Sequence, residues 1–525
     1  MDFGILHRRD LIFPAFLIIV LGLVIYINAI NGQFIWDDNL LVKNNIYIRS
    51  WQGIKKIFTY DIGAGAGARF NYYRPLQMLT YMCEYAFWGN DPRGYHITNI
   101  GLHLLAALSV FWLAFLLCGD RLSAFFTGII FVCHPLQTES VAYISARGDL
   151  LCALFFILSF ILYIRYLSHK SAVTYFAMIT CYILALLSKE NALAFVIVLL
   201  LYHYVFKKKL MVKKLLPIAF ITLAYAALRL TVIKPTMSAF ASICTGFERL
   251  PGFFVAIANY LRLLFFPYAL HFAYGDKVFR FSEPQAVLGI IITWLLIIYA
   301  LSKKNKDAVA SFSIFWFFAT LIPVSGIYPL TAFYMAEHYI YVPSIGFALI
   351  LATYTVRLYA TKTFKVITVF IFGAILIFYG YTTIRQNNYW REPIGFYLKT
   401  INFSPDISEV YYNLGYEYLK TNNKVMAAAS FKKSVELDPY SAKAYNNLGI
   451  LYYEFNKKKQ SLAFFKKALQ INPDSPDALY NLSVAYYYQR EYALAIAYCE
   501  KAIKLGYKAD PDFLSLLALH KKKHK

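Results

Sequence analysis

The sequence predicts an all-α protein: a polytopic bundle of membrane helices, about eleven spans, followed by an α-solenoid of short paired helices. Three observations predict it. Of the 525 residues 59% are hydrophobic and only 15% are charged, a balance that suits a chain placing much of its surface in lipid. The apolar residues fall into runs long enough to approach or cross a bilayer, separated by charged or aromatic loops. After residue 408 these runs give way to amphipathic segments with a fixed period. A formal net charge of +23 does not change the class, because Lys and Arg cluster between the apolar runs, where they act as orientation signals. No basic face with base-stacking aromatics stands apart from them, which excludes nucleic acid as a partner. The seven cysteines form no CxxC pair or Cys/His metal spacing; Cys118, Cys133, Cys152 and Cys181 read as small core residues.

Taken in order, His7-Arg8-Arg9 precedes the first run, 11–30, which lacks a small-residue cleavage site and so reads as an anchor helix with a cytoplasmic N-terminus. Immediately beyond it stands Phe34-Ile35-Trp36-Asp37-Asp38-Asn39. Two adjacent carboxylates would each need a partner or a shifted pKa to leave water, so they belong in an aqueous loop on the opposite side. Such a place suits a general base or metal ligand; the simpler reading is an Asx-type turn that ends the helix. The loop 31–96 is long, and its many aromatics argue against disorder. Within it, Gly63-Ala64-Gly65-Ala66-Gly67 reads as a flexible tip without a phosphate-binding pattern, and Tyr72-Tyr73-Arg74-Pro75-Leu76 offers a cation on a stiff proline-bounded turn.

Further runs occupy 97–117, 122–133, 149–167, 172–187, 191–206 and 214–232. The densest basic cluster, Lys207-Lys208-Lys209 with Lys213 and Lys214, is expected in the cytoplasm, the same side that counting crossings gives. The stretch 253–270, with Arg262 and nearby prolines, reads as an interfacial or re-entrant helix. Runs 285–302, 309–327, 339–357 and 364–384 follow, which leaves the C-terminal part opposite the cytoplasm. The division expected is a membrane domain over 1–399 and a repeat domain over 400–525.

In that second domain Tyr411, Leu414, Gly415, Tyr418, Ala427, Phe431 and Pro439 recur 34 residues later as Tyr445, Leu448, Gly449, Tyr452, Ser461, Phe465 and Pro473. A third copy has Leu479, Leu482, Ser483, Tyr486, Ala495 and Cys499, with Tyr507 in place of proline. This is the tetratricopeptide pattern, in which small residues let paired helices pack closely. Repeats are expected over about 408–441, 442–475 and 476–509, with Asp510 to the Lys-rich end as a solvating cap. They read as a groove for protein partners, or as a spacer or oligomerisation element.

The loops assigned to the non-cytoplasmic side collect Asp37, Asp38, Arg74, His96, His134, Glu139, Arg147, Asp149, Lys189, Glu190, Glu337, His338 and Arg391. Singly, many of these would pass as interfacial anchors. Together, carboxylates facing several cations fit transfer of a glycosyl group from a lipid phosphate: a carboxylate takes the proton of an acceptor hydroxyl while cations stabilise the departing phosphate.

At these residues the chain resembles a known family. Trp36-Asp37-Asp38, Tyr73-Arg74-Pro75-Leu76, Gly94-Tyr95-His96, His134-Pro135 with Thr138-Glu139, Arg147-Gly148-Asp149, Ser188-Lys189-Glu190, Ala336-Glu337-His338 through Tyr341-Val342-Pro343-Ser344, and Trp390-Arg391-Glu392 resemble the transmembrane and tetratricopeptide-repeat-containing proteins. The resemblance runs over nearly the whole chain. It implies a GT-C fold, related to the protein O-mannosyltransferases, and inverting transfer of mannose from a polyprenyl- or dolichyl-phosphate donor to a protein or glycan hydroxyl on the non-cytoplasmic face. It makes Asp37 or Asp38 the catalytic base. Arg74, Arg147, Lys189 and His338 are then the groups for the donor phosphate, with His96, His134, Glu139, Asp149, Glu190, Glu337 and Arg391 in support. His338 stands where the family usually has arginine, and the short repeat array points to a prokaryotic relative, which would sit in a bacterial inner membrane; a eukaryotic protein would sit in the endoplasmic reticulum. A divalent metal beside the carboxylates is compatible with this chemistry, although no His and carboxylate spacing on one helix marks a site. The rival reading is a non-enzymatic scaffold whose membrane part anchors the repeats. A flippase ranks below both, because the ionisable residues lie at the ends of the runs and not at their middles.

Overall fold

The computed structural model describes residues 9–232, 246–275, 277–326 and 333–521. His7 and Arg8 of the expected cytoplasmic flank, and the lysines past residue 521, lie outside them. The chain divides into two compact units, Met1–Glu392 and Pro393–Lys525, and the described elements are all helical.

In the first unit each apolar run folds as a helix. α1 (Arg9–Tyr26) leads into the long first loop, which is folded: α2 (Ile54–Thr59) and α3 (Pro75–Trp88) sit on a core of their own made by Leu41, Val42, Ile57, Met78 and Tyr81. The glycine-rich tip, expected to be flexible, is instead packed. The Asp61 carboxylate accepts from the backbone N–H of Gly63, Phe70 and Tyr72 at 2.8, 3.0 and 2.8 Å. A Cβ on Gly65 would fall 1.8 Å from Asn45 Oδ1, so a side chain there would displace that oxygen from its bond with Tyr47 N–H. α4 (Pro92–Cys118) starts ahead of the run at 97, because the Asp91 carboxylate caps Arg93 N–H and Pro92 is at ease in a first helical turn.

The bundle continues through α5 (Arg121–Cys133), the short α6 (Thr138–Ala142), α7 (Arg147–His169), α8 (Ala172–Ser188), α9 (Phe195–Val205) and α10 (Val212–Val232). After these come α11 (Gly246–Phe265), α12 (Pro284–Lys303), α13 (Ala308–Leu321), α14 (Ser344–Ala360) and α15 (Lys365–Tyr389). Five described stretches are long and apolar enough to cross a membrane: Leu11–Asn31, Pro92–Cys118, Ile144–His169, Pro284–Lys303 and Lys362–Tyr389. Five more apolar helices are shorter. Apart from α12, whose Ala286 packs with Val255 and Phe279, their inner faces share one core around Ile18, Val110, Phe131, Leu150, Phe160 and Trp316. Outer faces of α12 (Ile291, Trp294, Leu295) and α15 (Val366, Phe370, Ile377) are bare apolar surface, which lipid must cover. Close crossings use glycine: a Cβ on Gly346 of α14 would lie 2.3 Å from the Ser313 carbonyl oxygen of α13. α11, read from sequence as interfacial, buries one stripe, Val255, Ala256, Tyr260, Leu263 and Leu264.

The second unit opens with α16 (Pro393–Phe403), a helix that runs through the boundary placed at 399 from sequence. Three helix pairs follow: α17 (Ser408–Lys420) with α18 (Lys424–Leu437), α19 (Ala442–Glu454) with α20 (Lys458–Ile471), and α21 (Pro476–Tyr488) with α22 (Tyr492–Lys504). The repeat pattern has a direct steric reason. A Cβ on Gly415 would meet the Phe431 ring at 2.8 Å, and one on Gly449 the Phe465 ring at 2.5 Å. The third repeat replaces both partners, pairing Ser483 with the smaller Cys499, both buried. α23 (Pro511–Lys521) covers this last pair with Phe513 and Leu517.

Candidate functional site

The loops between helices hold most of the charge in the first unit. Trp36 has a φ of +52°, in the left-handed region, which a bulky side chain enters only where its surroundings fix it. Its ring packs on Phe272 at 5.0 Å between centroids. That turn separates the two carboxylates that follow. Asp38 is buried; its Oδ1 accepts from Ser145 N at 2.8 Å and Ser145 Oγ at 2.5 Å, and its Oδ2 from Ile35 N at 3.1 Å. Burial pushes its carboxyl up to about 7, against the pull of those bonds and of the Arg147 charge. Asp37 is half-buried, and its backbone N–H donates to Tyr143 Oη at 3.2 Å. Tyr143 stacks on Trp390, which fixes the phenol beside it.

Around this pair run two charged threads. Arg74, at the N-terminus of α3, lies over the Tyr72 ring at 4.3 Å and donates from Nη2 to Glu190 Oε1 at 2.9 Å. Glu190 Oε2 in turn lies 3.3 Å from Nη1 of Arg229 on α10. The Tyr72 hydroxyl feels both Arg74 and Asp37, which ties this thread to the carboxylate pair. In the second thread Lys189 Nζ holds both Asp149 oxygens at 2.7 Å, almost wholly out of water. Close by, Glu139 accepts from His338 N at 2.9 Å, and its other oxygen is 2.8 Å from His338 Nδ1. Burial raises the Glu139 carboxyl and lowers the His338 imidazole, the latter helped by the Lys189 charge. The Glu139–His338 pair therefore has no net charge at neutral pH. Arg74, Arg229 and Lys189 outnumber their carboxylate partners Glu190 and Asp149 by one.

Other residues singled out in the sequence have different surroundings. Arg147 is fully buried: Nε donates to Asn99 Oδ1 at 2.8 Å, Nη2 to Tyr95 O at 2.9 Å, and Nη1 pairs with Glu84 and Thr80. Its planar fork thus joins α3, α4 and α7, and as placed it presents no free face to a phosphate. His338, grouped with the phosphate cations, brings a hydrogen-bonding ring and no charge. His134 bonds Leu264 O through Nε2 at 2.9 Å and accepts Leu136 N–H on Nδ1 at 3.2 Å, which makes it a neutral brace. His96 is buried against Gly32, where a Cβ would sit 2.6 Å from Nε2. Glu337 is buried and accepts from His271 N and Tyr274 Oη, both at 2.8 Å. The Arg391 side chain is exposed, and its carbonyl accepts from Gln33 N at 3.1 Å. Among the described residues, no three His, Cys, Asp or Glu side chains are grouped to hold a metal ion. Sequence reading missed Arg229, although a lone arginine near the end of an apolar run is a legible signal. It also missed Tyr143 and Ser145, which nothing local distinguishes.

These features define a class: an all-α membrane protein with a charged cluster on its loops and a tetratricopeptide tail. Tetratricopeptide repeat models match 408–441, 442–475 and 476–508. The chain is 24% identical over 424 residues to protein O-mannosyl-transferase F38B6.6 of Caenorhabditis elegans, covering 76% of this chain and 59% of that one. It is 31% identical over 207 residues to human protein O-mannosyl-transferase TMTC2, covering 38% and 24%. With mouse protein O-mannosyl-transferase TMTC4 it is 24% identical over 481 residues, covering 78% and 64%. The chain thus spans less than two thirds of the length of each of these relatives. The resemblance read from the loop motifs is borne out by them.

Proposed function

We propose that this protein is a membrane glycosyltransferase of the GT-C type. It moves a sugar, mannose by the names of its relatives, from a polyprenyl- or dolichyl-phosphate carrier to a Ser or Thr hydroxyl of a protein. The reaction takes place on the non-cytoplasmic face, an orientation supported by the Lys207-Lys208-Lys209 cluster on the other side. The observation that carries the reading is Asp37, a half-buried carboxylate set by the strained Trp36 turn beside a cluster with surplus positive charge. Asp37 takes the proton from the acceptor hydroxyl as its oxygen bonds to the anomeric carbon. The bond from that carbon to the phosphate oxygen breaks on the opposite side, which inverts the centre, and the electron pair leaves on the lipid phosphate. Arg74 and Arg229 hold the phosphate and stabilise the charge it gains, and the ammonium of Lys189, itself paired with Asp149, adds to the positive field there. Asp38 keeps the loop in place through Ser145 and does not meet substrate.

The test is transfer of radiolabelled sugar from polyprenyl-phosphate donors by the purified protein in lipid, with Asp37→Asn and Asp38→Asn alongside. Asp37→Asn should lose about 10²- to 10⁴-fold in rate while inserting normally, the usual contribution of a general base. Asp38→Asn should keep measurable transfer. Wild-type turnover by Asp37→Asn would sink the assignment.

A further inference from the structure

The Asp pair is set by a short strap, 143–146, between α6 and α7. Tyr143 Oη accepts from Asp37 N, and Ser145 donates from both N and Oγ to Asp38. The strap is itself held by side chains of α3 and α4. Tyr81 Oη donates to Ile144 O at 2.7 Å, while Gln77 Nε2 donates to Ser145 O at 2.8 Å and to Tyr81 Oη at 3.0 Å. From α4, Asn99 Nδ2 donates to Tyr143 O at 3.3 Å. Gln77 and Tyr81 are fully buried one turn apart on α3, and Ile144 packs into the same core as Tyr81. The folded first loop, the strap and the carboxylate pair thus form one unit.

Glutamine is a costly choice at the centre of that unit. Its Nε2 spends both hydrogens on these bonds, while its buried Oε1 has no hydrogen-bond partner among the described residues. Turning the amide over would set Oε1 against the Ser145 carbonyl oxygen, so it sits only one way. Gly148 makes room for it: a Cβ there would fall 2.7 Å from Oε1. An apolar side chain of the same length would avoid the orphaned acceptor but would release the Ser145 carbonyl. We propose that Gln77, assisted by Tyr81, is a positioning residue for sugar transfer: through the Ser145 and Ile144 carbonyls it sets the strap, and through the strap the Asp37 carboxylate. This role rests on Asp37 being the base. Neither side chain meets substrate, and neither touches the cations that hold the phosphate. A general base works only at hydrogen-bonding distance from the proton it takes, and misplacement by about 1 Å costs about 10²-fold in rate.

The experiment is a double-mutant cycle with the full-length protein in lipid nanodiscs, using radiolabelled dolichyl-phosphate mannose and a short Ser/Thr peptide. Wild type, Gln77→Met, Asp37→Asn and the double variant are compared, each rate being divided by the donor bound at saturation so that only folded protein counts. Gln77→Met should lower kcat at least about tenfold and leave the donor KM within about twofold, since the base moves and the phosphate cations do not. In Asp37→Asn no base remains to be placed, so adding Gln77→Met should change the residual rate by less than about twofold. Tyr81→Phe keeps the ring and loses the bond to Ile144 O; it should lower kcat at least about threefold in the wild-type background and leave the Asp37→Asn rate unchanged. A fall of equal size in both backgrounds would make Gln77 a merely structural residue and overturn the proposal, as would wild-type kcat in Gln77→Met. Wild-type turnover by Asp37→Asn would remove the base and this role with it, whereas a slow Asp37→Asn with additive losses would remove this role alone. If Gln77→Met fails to fold, the Tyr81→Phe cycle decides by the same criteria.

Discussion

Three hydrogen bonds converge on the Asp38 carboxylate, two from Ser145 and one from Ile35, and no water-facing edge remains. Asp37, next in the chain, keeps part of its surface. Asp38 is thereby a brace, while Asp37 is half-buried, with its backbone N–H on Tyr143 Oη. The brace has a pH signature. Its folded pKa of about 7 lies above the ordinary value near 4, so between those pH values the native state binds a proton that the unfolded chain has lost. The Asp38 contribution to stability therefore falls as pH rises from about 4 to 7 and levels off above. Asp38→Asn has no such proton. Its melting temperature in detergent should lie below that of wild type at pH 5, because the amide sets a donor against N–H groups, and the gap should narrow by pH 7.5. A gap independent of pH would mean that Asp38 is ionised throughout.

At the level of elements, each repeat is held by a fitted pair across its two helices. Gly415 and Gly449 leave room for the rings of Phe431 and Phe465, whereas Ser483 has Cys499. Gly415→Val should cost about 1–3 kcal/mol through overpacking, read as faster amide hydrogen exchange in α17 and α18. Gly415→Ser combined with Phe431→Cys, which copies the third repeat, should recover much of the loss that Gly415→Ser shows alone. Equal exchange in the single and double variants would remove the pair as the reason for the glycine. The same rule explains Gly346 at the crossing of α13 and α14, where the obstacle is a carbonyl oxygen and no partner substitution can make room.

For the whole molecule, every residue given a part in transfer lies in the first unit, Met1–Glu392. A chain ending at Glu392 should therefore keep transfer to a short Ser/Thr peptide when assayed with the same labelled donor. Transfer to full-length protein acceptors should fall more steeply if the repeats of the second unit hold the acceptor. Complete loss of transfer by an inserted, folded first unit would favour a scaffold in which the repeats carry the function.

The sequence by itself determined the helical class, the presence of the apolar helices and the repeat period. These depend on periodicity and run length, which are local along the chain. It also assembled the loop motifs, because their residue types and order are written in the chain. Only the tertiary structure decided which charges meet. Arg147 and Lys189 look alike as cations at helix ends, yet one is enclosed among Glu84, Asn99 and Tyr95 while the other joins Asp149 beside Glu139. Arg74 and Arg229 share Glu190 across more than a hundred residues of chain. Asp37 and Asp38 differ through Ser145 and Tyr143, residues with no local mark. A charge takes its role from the dielectric and the partners around it, and those are set by packing between distant segments, which no window of sequence contains.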